Sequence, residues 1–243
     1  MKNILRLLLC TMFALPLLAS AQCPSSNGDE AQDYVGNING KYNIQMSLVF
    51  NGDAVKGEYF YVSQLRDIAL RGATKNDAVS LDELDASGKV VATFAGKLNA
   101  QCDKIEGTWQ KAGSADKLPF RLTHNGSSSG TLDRRYSLIS DASDEIIHAN
   151  AYKFWLGVKK GDKPAVASAV DYPVRAQIAG KPRQIRSAKE FIKNYDAIFT
   201  PVFRQAVLAS VPKNMNVSWR GIMLGEHGEV WLNDVGKVKS LNN

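Results

Sequence analysis

From Lys41 to His124 apolar and polar positions alternate with a period of two, the signature of strands with one buried face. In "YNIQMSLVF", Ile44, Met46 and Leu48 alternate with Asn43, Gln45 and Ser47. "AVKGEYFYV" follows across Asn51-Gly52-Asp53, a strong hairpin signal. "DIALRGA", "AVSLDELD", "KVVATFAGKL", "KIEGTWQK" and "KLPFRLTH" continue the series, with Ala86-Ser87-Gly88 as another turn. Short strands separated by turn residues predict an all-β antiparallel meander closed into a barrel or sandwich, because closure removes exposed edges. Gly57 and Gly107, inside strand patterns, mark bulges or tight bends. The neighbouring aromatics, "YFY" and Trp109, read as barrel packing, and an open barrel end would be a candidate pocket.

"NGSSSGTLDRR" (125–135) has the composition of a flexible connector. Beyond it the period becomes helical: in "DEIIHANAYKFWLGVKKGD", Ile147, Ala151, Phe154 and Val158 share one face. Ser143 is placed to cap this helix and Gly161 to end it. Asp162 opens a second short helix that runs through "AVASAV" and stops before Pro173. "YPVRAQIAGKPRQI" reads as a hairpin around Gly180, and Ser187-x-x-Glu190 as a capping box for "SAKEFIKNYDAIF". Thr200-Pro201 either kinks that helix or starts a new one. "NVSWRGIML", "EVWLNDV" and "KVKSL" close the chain as strands.

This order of helix, helix, hairpin, long helix and antiparallel sheet, with the phrases "AVASAVDYPVR", "FIKNYDAIFTP" and "RGIMLGEHGEVWL", resembles the nuclear-transport-factor-2-like superfamily. The resemblance covers about residues 141–243. It implies an α+β cone, with helices packed on a curved antiparallel sheet around a pocket, and dimerisation through the sheet. Members include isomerases, dehydratases, hydrolases and inert binding modules. In the steroid isomerases an acid stands just before a proline; here Tyr172 does, with Asp171 one position earlier. A one-residue shift in an extended segment turns a side chain to the opposite face, so no catalytic role is carried over to Asp171. The first half, roughly Tyr34 to Leu122, resembles a β-meander module of secreted bacterial proteins to which no activity is attached. The expected organisation is a signal peptide (1–21), an all-β domain (22–128), a linker (129–140) and the α+β domain (141–243).

The chain start changes the cellular picture. Lys2 and Arg6, a short apolar core and Ala19-Ser20-Ala21 make a signal peptide cleaved after Ala21, which predicts export to the periplasm or beyond. No later run is long enough to span a membrane as a helix. Cys10 leaves with the signal, so Cys23 and Cys102 form an even pair, expected as a disulfide in an oxidising compartment. Residues 22–143 carry 13 basic and 15 acidic side chains, whereas 144–243 carry 15 and 9. The C-terminal excess of positive charge suits an anionic ligand or an envelope surface, and the bland alternative is a solvated basic face. Nucleic acid is not an expected partner, because no basic run or recognition motif is present.

Motif chemistry is sparse. There is no HExxH, no CxxC and no phosphate-binding glycine loop, and His124, His148 and His227 are scattered, so no metal or cofactor is expected. The acidic run Asp82-Glu83-Asp85 sits near a strand end and reads as solvated. Candidate pocket residues are Asp171, Tyr172, Arg175, Tyr195, Trp219 and Trp231, with the aromatics as apolar lining or core and Arg175 or Arg220 as a polar contact for an anionic small molecule. The function expected is binding of a small ligand, an envelope component or a protein partner. The alternative is an acid–base enzyme of isomerase, lyase or hydrolase type in the cone pocket.

Overall fold

The computed structural model describes residues 30–128 and 130–243. The expected signal peptide, its expected cleavage site and Cys23 lie outside the described residues. Eight strands form a closed barrel in sequential order: β1 (Ala31–Ile38), β2 (Tyr42–Asn51), β3 (Ala54–Tyr61), β4 (Ile68–Lys75), β5 (Ala78–Leu84), β6 (Val90–Leu98), β7 (Lys104–Lys111) and β8 (Leu118–Ser128). Every neighbouring pair is antiparallel, and β8 closes onto β1 from Ala31↔Ser128 to Ile38↔Phe120. The alternation read from the sequence is the inside–outside alternation of the barrel. Ile44, Met46 and Leu48 point inward with Tyr59, Leu81, Ile105 and Leu122. Phe94 packs edge-on against Tyr59 at 5.3 Å and Phe120 at 5.2 Å, a geometry in which positive ring edges meet negative faces. Gly107 pairs with Gly96 across β6 and β7, where a Cβ would run into the Ala95 carbonyl.

The C-terminal region contains α1 (Asp144–Lys160), α2 (Lys163–Ser168), β9 (Val170–Ile178), β10 (Lys181–Ile185), α3 (Ala188–Ile198), α4 (Pro201–Ala209), β11 (Asn216–Ser218), β12 (Gly221–Leu224), β13 (Val230–Leu232) and β14 (Val238–Leu241). Local signals place the helix ends. Gly161 stops α1 in the left-handed conformation at φ 69°. Asp162, Ser187 and Thr200 cap α2, α3 and α4 by accepting the N–H of Ala165, Glu190 and Phe203. Pro201 therefore begins a separate helix. Ser143 occupies the N-cap position of α1 without a capping bond from its side chain.

Two expectations are corrected. The C-terminal sheet, ordered β10-β9-β14-β13-β12-β11, is mixed, because β14 runs parallel to β9. Two helices and four strands intervene between β9 and β14, so no tight turn forces the opposite direction. The connector is also not a loose tether. Gly126 to Ser128 continue β8 in pairing with β1 beyond a register shift at Asn125, and Arg135 and Tyr136 are only 3% and 0% exposed. They sit where the barrel wall meets the C-terminal region.

Candidate functional site

The outward faces of β1–β3 are not all wet. Ser47 and Phe60 point away from the barrel axis yet are 2% and 0% exposed. Residues after the barrel cover this wall, and Arg135 is the centre of the contact. Its guanidinium grips Asp33 with two bonds, Nη1 to Oδ2 at 2.7 Å and Nη2 to Oδ1 at 2.6 Å. Nη2 also reaches Ser47 Oγ at 2.8 Å, and that hydroxyl donates to Asp33 Oδ1 at 2.6 Å. Asn214 Nδ2 donates to the same hydroxyl at 3.3 Å. Burial works against the Arg135 charge, but the hydrogen bond and negative charge of Asp33 outweigh it and hold the guanidinium protonated more firmly than usual.

Next to this clamp, Tyr136 donates to His148 Nε2 at 2.9 Å and accepts the Met215 N–H at 3.1 Å. The Asn214 N–H also approaches His148 Nε2, at 3.3 Å. Desolvation first, then the charges of Lys213 and Arg135, pull the imidazole down to about 3, so it is neutral with Nε2 as acceptor. Lys213 pairs with Asp67 at 2.7 Å and lies 5.6 Å from the Phe60 ring centre. Glu58, beside it on β3, is pushed up to about 7 by burial and then by the charge of Asp67, with Lys213 and Arg135 opposing.

A cleft of about 250 Å³ opens above the clamp. One wall is β1–β2, with Asp33, Val35, Gln45 and Ser47; the other is the segment from Ala209 to Asn216 with Met223 and Glu226. The charges at its floor are already paired, Asp33 with Arg135 and Lys213 with Asp67. What remains for a ligand is the exposed Glu226 carboxylate, amide groups, including Gln45, Asn125 and Asn214, and apolar side chains such as Val35 and Met223. This is the composition of a small-molecule site that orients its occupant by hydrogen bonds. Ser47 is not an activated nucleophile: its proton goes to a carboxylate already held by Arg135, and His148 is occupied by Tyr136 and Asn214.

The residues singled out from the sequence do not converge. Tyr172 and Tyr195 come together around Phe191, with ring centres 6.2 and 6.4 Å away. Tyr172 donates to the Ala167 carbonyl, and Tyr195 stacks on Phe199 at 4.5 Å. Asp171 and Arg175 lie on the solvent face of β9, where Asp171 accepts a 2.9 Å bond from Asn233. The phase argument therefore holds in space: Tyr172 faces in and Asp171 faces out. Trp219 is 85% exposed at the β11–β12 turn with Arg220 over its ring, and Trp231 is half-buried on β13. Cys102 lies in the β6–β7 turn, and its expected partner is outside the described residues. Glu83 is the correction in the acidic run, because it turns into the barrel and accepts from Tyr59 and Trp109.

Sequence reasoning missed the clamp. Asp33 lies on a strand whose "AQDYVG" has weak alternation, and Arg135 lies in a connector of loop composition. The only available signal was an Arg-Arg-Tyr run beside Gly and Ser, which does not separate a solvated arginine from a buried one. Among the described residues no group of three or more His, Cys, Asp or Glu is placed to hold a metal ion, and no helix is long and apolar enough to cross a membrane. No family model, curated protein or solved structure matches the chain.

Proposed function

We propose that this is an exported binding protein that holds a small, mainly uncharged polar ligand in the cleft between the barrel and the C-terminal region. The carrying observation is the state of the cleft floor. The Asp33 and Lys213 charges are neutralised within the protein, and Glu226 is the one lining charge outside these pairs among the described residues, so affinity comes mainly from amides, hydroxyls and apolar contacts. That argues against the anionic ligand suggested by the C-terminal charge excess. The buried Arg135 clamp supports a preformed site, since rigid walls lower the ordering cost of binding. The acid–base alternative has less support, because Asp171 is solvent-exposed and bonded by Asn233. The order of C-terminal elements remains compatible with the nuclear-transport-factor-2-like resemblance, and in this reading that resemblance concerns architecture only.

The test is native mass spectrometry of the protein purified from its own host. The expected spectrum shows a chain beginning at Gln22, two hydrogens lighter than the reduced form through a Cys23–Cys102 bond, carrying a neutral ligand released on denaturation. Asn216→Trp, which places an indole on an exposed cleft-lining position, should release the ligand without unfolding the chain. Retention of the ligand by that variant, or a bare chain bound to a stoichiometric protein partner, would sink the cleft reading.

A further inference from the structure

The two ends of the barrel differ. At one end the inward residues are sealed: Phe50, Val55, Val79, Leu98 and Ile105 are all 7% exposed or less. At the other, Tyr42 is 44% exposed, and Tyr61, Ile68, Trp109 and Leu118 are only partly buried against the core. Strand alternation puts Glu83 inside this open end, in phase with Val79 and Leu81. Tyr59 Oη donates to Glu83 Oε2 at 2.7 Å, and Trp109 Nε1 donates to the same oxygen at 3.1 Å. Oε1 receives no hydrogen bond, and no Lys or Arg pairs with Glu83, among the described residues.

A carboxylate inside an aromatic mouth without a counter-cation is an arrangement that favours a cationic guest. Neutral donors orient one oxygen and leave the other as a free acceptor. The rings around it offer negative π faces: Tyr61 lies edge-on to Tyr59 at 5.6 Å and to Tyr42 at 6.3 Å. The rim already attracts a positive charge from the chain, since Lys41 Nζ lies 5.2 Å from the centre of the Tyr42 ring. We propose that the open end of the barrel binds the primary ammonium group of a small organic amine. The ammonium donates to Glu83 Oε1, and the alkyl part packs among Tyr61, Ile68, Trp109 and Leu118. This site is separate from the cleft, and neither reading depends on the other.

The experiment is an NMR titration of the full mature protein with n-hexylammonium, and with 1-hexanol as the uncharged control. Hexylammonium should give saturable shifts centred on the Trp109 indole N–H, with hexanol at least tenfold weaker. Glu83→Gln keeps an oxygen for Tyr59 and Trp109 and should weaken hexylammonium binding at least tenfold. Equal binding of the alcohol, undiminished binding by a folded Glu83→Gln protein, or no saturable shift at Trp109 overturns the proposal. The alcohol comparison decides on the unmodified protein even if the variant does not fold.

Discussion

Glu58 makes the contact between barrel and C-terminal region sensitive to pH, and Glu58→Gln measures it. In the folded protein its carboxyl is pushed from 4.5 to about 7, by burial first and by Asp67 second, with Asp144 adding to the rise and Lys213 and Arg135 reducing it. The unfolded chain loses this proton near 4.5, whereas the folded chain keeps it until about 7. Between those values the folded state binds more protons, so stability falls as pH rises and is level above about 7. At about 1.4 kcal/mol per pH unit, the full cost is about 3 kcal/mol, and residual contact with water trims it to about 2 kcal/mol. Glutamine has the same shape and never ionises. The variant should match the parent at pH 4 and exceed it by about 2 kcal/mol at pH 8. Urea unfolding followed by tryptophan fluorescence across this range gives the difference directly, and the opposing titration of His148 cancels because it is common to both proteins. A difference that does not grow with pH, or a variant less stable at pH 8, would refute the placement of Glu58 in a desolvated acidic neighbourhood.

Two further outcomes follow from the same contact. Arg135→Met should destabilise by about 3 kcal/mol or more in urea, because Asp33 keeps its charge without a partner, and adding Asp33→Asn should restore part of the loss. His148 works in the opposite sense to Glu58: its folded value of about 3 lies below 6.5, so stability drains away as pH falls from 6.5 toward 3. His148→Gln should flatten that acid limb in thermal melts between pH 6.5 and 3.5, and an unchanged slope would show that other groups carry it.

Several features of the molecule were legible from local order in the chain. The alternation of Ile44, Met46 and Leu48 with Asn43, Gln45 and Ser47 is enough to assign two faces to a strand, and its repetition along the chain predicts a meander forming a barrel or a sandwich, between which the pairing of β8 with β1 decides. The end of α1 and the starts of α2 and α3 were similarly readable, since Gly161, Asp162 and Ser187 act through bonds spanning only a few residues, whereas Thr200-Pro201 fitted a kink as well as a new helix. Even the opposed directions of Asp171 and Tyr172 follow from strand geometry alone. Partner choice does not follow, because periodicity encodes which face a residue occupies and not what covers it. Ser47 belongs to the outward face of β2 and reads as solvated, yet Arg135, far along the chain, buries it. Glu83 reads as part of an exposed acidic run, yet the register of β5 turns it toward Tyr59 and Trp109. The direction of β14 beside β9 depends on a long excursion through two helices and four strands. Each of these rests on contacts between residues distant in sequence, and only the folded chain brings such residues within reach of one another.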